Sequence, residues 1–265
     1  MWAIAHTARA GPVILETAVM VAHPKTEPVH ADPKQNQILA SLPAEDYERL
    51  LPDLELVPLP RGLLMLESGE HVDFLHFPIS GIVSLIYELE DQSSSETALV
   101  GNEGLVGISI YMGGESLPSS TEVQVKGEAY RLSRKIIKRE FALGGKLQHL
   151  ALLYSQVLLC QTSQAALCNQ HHTVEQKFCR WLLASLDRLN RDTMAITQAQ
   201  LSHLLGARRE TVTKTARRLE KDGLIATARG SITLLDRSEM ESRVCECYQT
   251  VKEECERLMP APKGR

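Results

Sequence analysis

Residues 197–225 read TQAQLSHLLGARRETVTKTARRLEKDGLI, and this stretch decides the fold of the C-terminal part of the chain. Thr197 is a helix-capping residue type ahead of Leu201, Leu204 and Leu205, which recur at helical spacing. Gly206 supplies the left-handed backbone that stops a helix. A second helix follows from Ala207 to Lys221. It carries Arg208, Arg209, Lys214, Arg217, Arg218 and Lys221 against Glu210 and Glu220, with Val212, Ala216 and Leu219 on one apolar face. Two short helices around a tight turn, the second basic, predict a helix-turn-helix. Beyond Asp222-Gly223, the β-prone runs 224–227 and 231–235 are joined through Ala228-Arg229-Gly230, a hairpin with Arg229 at its tip. Helix, turn, basic helix and hairpin in this order predict a winged helix that binds DNA.

The residue types suit that task. Arg209 falls in the first turn of the second helix, the part that enters a major groove, and its guanidinium fork matches the paired acceptors of guanine. Glu210 can accept from a cytosine amino group, and Lys214, four residues on, reaches the same face. These three are the expected base readers. Thr197, Arg208, Thr211, Thr213, Arg217, Arg218 and Arg229 are the expected backbone contacts, which add affinity without sequence information. Charge agrees: residues 170–237 hold 12 Lys and Arg against 7 Asp and Glu, whereas the whole chain has a net charge of -4. One basic module sits in an otherwise acidic protein, so phosphate attraction is local and salt-dependent.

At 265 residues the chain has room for two domains. No apolar run approaches membrane-spanning length and the N-terminus lacks a signal-peptide pattern, so the expected location is cytoplasmic. Residues 1–33, with Pro12, Pro24, Pro28 and Pro33 and no sustained period, are expected to form a flexible extension. Residues 38–51 read as a short helical region. Seven β-prone runs follow at 54–59, 63–66, 74–77, 82–87, 96–100, 121–125 and 129–132, which predict an antiparallel sandwich or roll within a domain spanning 34–143. The period then becomes helical. Leu150, Leu153, Val157, Cys160 and Leu167, with Gln164 as a polar interruption, mark a long helix over 144–169 whose stripe pairs with a second copy or packs on its own domain. The winged helix spans 170–236, and a helical extension covers 237–265. The fold class expected is α+β.

From Asn36 to Asp236 this order resembles the Crp/Fnr family of bacterial transcription regulators. The run Arg208-Arg209-Glu210-Thr211-Val212 is similar to that family's recognition-helix signature, in which an Arg, the following Glu and a basic residue four beyond read the half-site. These map onto Arg209, Glu210 and Lys214. Lys214 stands where the family often has Arg, and it lacks the bidentate fork. Arg61-Gly62, Glu67-Ser68-Gly69-Glu70, Gly81 and Gly104-Leu105-Val106-Gly107 resemble the turns of the family's cyclic-nucleotide-binding roll.

The resemblance implies a homodimer on an inverted-repeat operator. Members that bind cyclic AMP use a Glu after the cassette glycine and an Arg before a Ser or Thr. Here those positions hold Ile108 and Ser119, and the cassette 101–125 contains no cation for a buried phosphate. Control by cyclic AMP is therefore not expected. A regulatory module that binds a cyclic nucleotide or another small ligand, with DNA binding dependent on that effector, stays open as the alternative, as do a purely structural role for the roll and RNA polymerase as a partner.

Six cysteines begin only at Cys160, unlike the N-terminal cluster ligands of Fnr-type members. A single helix over 237–259 would point Cys245 and Cys247 to different faces. Cys168, His171 and His172 share one side of a helix, but ordinary packing explains them without a metal. No cofactor and no metal are expected. With no P-loop, nucleotide fingerprint, HExxH or nucleophile elbow, neither is catalysis.

Overall fold

A computed structural model describes residues 31–91 and 93–259. The extension expected over 1–33 lies outside the described residues except for its last three. A 3-10 turn at Pro33–Gln35 leads into α1 (Gln37–Ala40) and α2 (Ala44–Leu50). Asn36 caps α1 by accepting from the Ile38 and Leu39 amides, and its fully buried side chain donates to the Pro78 and Gly104 carbonyls at 2.9 and 2.8 Å. One residue thus fastens the entry helix to the strands behind it.

Seven strands follow: β1 (Glu55–Leu59), β2 (Leu64–Leu66), β3 (Phe74–Pro78), β4 (Ile82–Glu88), β5 (Ser94–Val100), β6 (Ser120–Val125) and β7 (Gly127–Ser133). Every expected run forms a strand, and the pairing is antiparallel throughout, in sheets ordered β1-β7-β3 and β2-β6-β4-β5. A short helix, α3 (Ser109–Met112), interrupts the run between β5 and β6. Gly81 must be glycine: its φ is +81°, and a Cβ would stand 2.5 Å from the Val125 carbonyl oxygen.

After the roll come α4 (Arg134–Leu143) and the long α5 (Lys146–His171). The apolar positions of α5 do not all lie where the period implied. Leu150 and Val157 are buried in the chain's own core with Leu147, Ala151, Tyr154 and Leu158, because the roll packs along that face. Leu153 is partly buried against the same core, and Cys160 and Gln164 are half-buried. Leu152, Leu159 and Leu167, 53, 63 and 49 % exposed, form the outward apolar stripe of α5, and of these only Leu167 belongs to the expected set.

The C-terminal part holds α6 (Val174–Leu189), β8 (Thr193–Ala195), α7 (Gln198–Leu204), α8 (Arg209–Lys221), β9 (Ile225–Ala228) and β10 (Ser231–Leu234), then α9 (Arg237–Arg243) and α10 (Cys247–Leu258). The single helix expected over 237–259 is broken at residues 244–246, where Val244 adopts extended backbone. α10 then packs beside α5, with the Gln156 amide donating to Glu254.

The second core is shared between the winged helix and the roll. Phe178, Trp181, Leu182, Leu201, Val212, Leu219 and Ile232 cluster with Ile82, Ile86, Leu99 and Val125 from the outer face of the four-stranded sheet. At this junction the Trp181 indole nitrogen and the Ser84 hydroxyl both donate to Glu96 Oε2, at 3.2 and 2.5 Å. Burial pushes the Glu96 carboxyl up to about 7. The two hydrogen bonds and the nearby Arg180 and Arg188 oppose that shift without cancelling it. The folded state thus holds the proton more tightly than the unfolded chain. The stability this contributes is fully present below the ordinary carboxylate value of 4.5 and is lost as pH rises through about 7. Denaturant unfolding of Glu96→Gln should accordingly show a flatter stability profile over that range than the unsubstituted protein. Parallel profiles would show that Glu96 does not carry the dependence.

Candidate nucleic-acid interface

A reciprocal capping box opens α7. The Gln200 amide donates to the Thr197 hydroxyl at 3.2 Å, and the Thr197 amide donates to Gln200 Oε1 at 3.1 Å. Leu201, Leu204 and Leu205 are buried, and Gly206, at φ +57°, turns the chain. The second helix starts two residues later than its sequence suggested, with Arg208 in extended conformation as its cap. Val212, Ala216 and Leu219 face the core, so the opposite face of α8 is fixed by geometry to point outward.

Arg209, Glu210 and Lys214 are all exposed, together with Arg208, Thr211 and Arg217; Glu210, Lys214 and Arg217 lie on the outward face, whereas Arg209, seven residues before Ala216 and so on its side of the helix, is exposed where α8 begins. Among the described residues none of Arg209, Glu210 and Lys214 makes an ion pair or side-chain hydrogen bond, so their donors and acceptors are available to a partner. The other expected contacts differ in how far they are committed within the chain. Thr197 uses its hydroxyl in the capping box. Thr213 donates to Gln198 Oε1 at 2.7 Å, locking α8 to α7. Arg218 pairs with Glu175 of α6 at 3.1 Å while staying largely exposed.

The hairpin behind the basic helix is as expected in its two strands. β9 and β10 pair in register from Ala228↔Ser231 to Ile225↔Leu234, and the Arg229-Gly230 turn, with Gly230 at φ +76°, exposes Arg229 at its tip. β8 adds a third strand beside β10. Three residues without strong alternation carry too little signal to be read as a strand in isolation. Glu220, near the end of α8, accepts from both the amide and the hydroxyl of Thr227 at 2.9 Å. These bonds hold its carboxyl below the usual range and fix the hairpin against the helix. Arg243 of α9 pairs with Asp222 at 2.6 Å, closing the module from the other side.

The domain also rests on the roll. The Ser94 hydroxyl lies 2.6 Å from the His203 ring, and Asn169 donates to Ser95 at 3.0 Å. Inside the roll, Gly107 has φ +106° and opens the turn that Ile108 caps into α3. The fully buried Tyr154 of α5 lies against Gly104, where a Cβ would overlap its ring and hydroxyl. Glu103 is paired with Arg188 of α6 at 2.7 Å, both nearly buried. Arg188, which reaches this part of the cassette from α6, is thus matched by a carboxylate.

Comparison with known proteins gives a consistent picture. Residues 176–243 match the model of the Crp-like helix-turn-helix domain. Among solved structures, a transcriptional regulator of the crp/fnr family from Eubacterium rectale is similar at 14 % identity and TM-score 0.63, over 79 % of this chain and 98 % of that one. FixK2 from Bradyrhizobium japonicum is similar at 15 % identity and TM-score 0.64, over 72 % and 98 %. A CRP-family transcriptional regulator from Thermus thermophilus is similar at 19 % identity and TM-score 0.60, over 71 % and 95 %. No curated protein matches the chain in sequence. At these identities the structural likeness establishes the fold, and the domain match covers the helix-turn-helix itself. No helix among the described residues is long and apolar enough to cross a membrane.

Proposed function

We propose that the chain, which carries a Crp-like helix-turn-helix domain on a fold similar to that of solved Crp/Fnr regulators, is a DNA-binding transcription regulator of that type, binding an inverted-repeat operator as a homodimer without cyclic AMP. It acts as a regulator rather than an enzyme, in the cytoplasm with its DNA. The observation that carries this reading is the exposed, unpartnered set Arg209, Glu210 and Lys214 on a helix whose other face is locked into the core. Arg209 and Glu210 read base edges from the first turn, with Lys214 alongside. Arg208, Thr211, Arg217 and the wing-tip Arg229 meet phosphates. Thr197, Thr213 and Arg218 act first as internal braces, whatever DNA contact they add.

Dimerisation is supported by the stripe Leu152, Leu159 and Leu167, which repeats at seven and eight residues on the outward face of α5 and suits a two-fold helix pair. Independence from cyclic AMP is supported by the cassette 101–125, which offers no cation, and by the engagement of Arg188 with Glu103.

The test is Leu159→Glu. It should sediment as a monomer and lose most affinity for a two-half-site operator while keeping its fold by circular dichroism. A dimer that survives this change, or an unsubstituted protein that is itself monomeric, would contradict the paired-helix reading.

An effector-dependent variant of the reading has its own observation. A cleft of about 780 Å³ lies between the roll, α6 and α10, lined by Thr97, Leu99, Gln161, Arg191, Tyr248 and Lys252, among others. The buried Gln161 Nε2 has no partner there among the described residues. Its size and mixed lining suit a small polar ligand.

A further inference from the structure

Where α5 ends and the DNA-binding module begins, four ligand-bearing side chains converge. Cys168 and His172 lie one helical turn apart at the end of α5; Cys245 lies in the break between α9 and α10, and Cys247 is the first residue of α10. Their three sulfurs and one ring nitrogen all lie within 4.8 Å of one another. Cys168 Sγ is 3.7 Å from Cys245 Sγ, and Cys247 Sγ is 3.6 Å from His172 Nδ1. The three cysteines are buried and the histidine half-buried.

Buried thiols are ordinary core fillers, and two of them in contact need no further explanation. Packing does not, however, require four potential ligand atoms from two distant segments to point at one spot. A tetrahedral ion with metal–sulfur bonds of about 2.3 Å and a metal–nitrogen bond of about 2.0–2.1 Å sets its ligand sulfurs about 3.8 Å apart and sulfur from nitrogen about 3.6 Å. Both observed separations are of this size. The set encloses one ion; a polynuclear iron–sulfur cluster would need its thiolates spread around a larger core.

The surroundings complete the case. The other nitrogen of the imidazole, His172 Nε2, stands 3.3 Å from the Glu246 carboxylate. With its proton on Nε2, facing that carboxylate, the ring presents the Nδ1 lone pair inward, the tautomer that an outer carboxylate supports in metal-binding histidines. Three thiolates on a divalent ion leave one net negative charge, and the positive charge of Arg180, which favours the Cys168 thiolate, offsets it.

We propose that Cys168, His172, Cys245 and Cys247 bind one divalent, thiolate-preferring cation of the zinc class in a closed tetrahedral site that ties the segment after the winged helix to the end of the long helix. Such a site has no open position and is structural. Binding displaces the protons the thiols carry, so affinity falls in acid. It joins the entrance of the DNA-binding module to its exit, and so holds the module's orientation on α5. This inference does not rest on the operator reading, because its test needs no DNA.

The test uses the full chain, reduced and stripped with a chelator, titrated with cobalt(II) and then zinc(II). The expected result is one equivalent per chain, with thiolate-to-cobalt charge transfer and the intense ligand-field bands of tetrahedral cobalt, bleached by zinc. Cys247→Ser should abolish these bands, and Cys160→Ser should leave them intact. Should Cys247→Ser fail to fold, Glu246→Gln, at an exposed position, keeps the test decisive: it should weaken cobalt binding by about 10–100-fold through the lost support of His172. Failure of the reduced protein to bind cobalt stoichiometrically would overturn the proposal, as would bands unchanged in Cys247→Ser and Glu246→Gln. A Cys168–Cys245 disulfide on air exposure, in a protein that binds no metal when reduced, would mark the pair as a redox couple instead and likewise overturn it.

Discussion

Replacing Arg209 with alanine is expected to cost about 1–3 kcal/mol on the cognate operator and to erase discrimination at the base pair it reads. The expectation follows from position. Arg209 is the first residue of α8, exposed and unpartnered among the described residues, while Val212, Ala216 and Leu219 prevent the helix from rolling to present another face. Its loss should leave non-specific affinity nearly unchanged, because most of that affinity comes from the summed phosphate contacts. Arg217→Ala supplies the contrast. Two turns further along the helix, it should weaken cognate and random DNA alike and reduce the salt slope by about one. Titrations on cognate, half-site-mutated and random duplexes at several salt concentrations separate the two. Unchanged discrimination in Arg209→Ala would remove it from base reading, and a selective loss on cognate DNA in Arg217→Ala would place that residue at a base instead.

Trp181→Ala should cost about 3–5 kcal/mol of folding stability. The indole is 1 % exposed and lies in the core that joins the winged helix to the roll, so its removal opens a cavity between two modules rather than within one. It also removes one of the two donors to the buried Glu96 carboxyl, leaving Ser84 alone. Trp181→Phe, which keeps most of the volume without the N–H, should cost less. Because natural domains are stable by only about 5–15 kcal/mol, the alanine variant should show a large fall in its denaturation midpoint. A loss below about 1 kcal/mol would mean that the two modules do not unfold as one cooperative unit.

The parts of the molecule legible in the sequence were those whose signal is local. The seven strands of the roll carry β-prone runs bounded by turn residues, and the helix-turn-helix carries its cap, its Gly206 turn and its apolar period within 25 residues. What was not legible depends on elements far apart in the chain. On α5, Leu150 and Val157 satisfy a helical period equally well whether they meet a second copy or the roll, and here they meet the roll. Periodicity gives the existence of an apolar face but not its occupant. The Glu96–Trp181 contact joins residues 85 positions apart, and the Cys/His cluster joins segments more than 70 positions apart, so neither has a spacing motif. The one local clue to the cluster was the Cys168–His172 pair at helix spacing. It lacked a second half as long as 237–259 read as one helix, and the break at residues 244–246 is what brings Cys245 and Cys247 to it.

The central claim, a dimer that reads DNA sequence through α8, is tested most directly by selecting bound fragments from a random duplex pool with the purified full chain, without added nucleotide, at near-physiological salt. The expected result is an enriched inverted repeat whose half-sites lie about 34 Å apart, one helical turn. Recovery of an unenriched pool, or of a single isolated half-site, would contradict it.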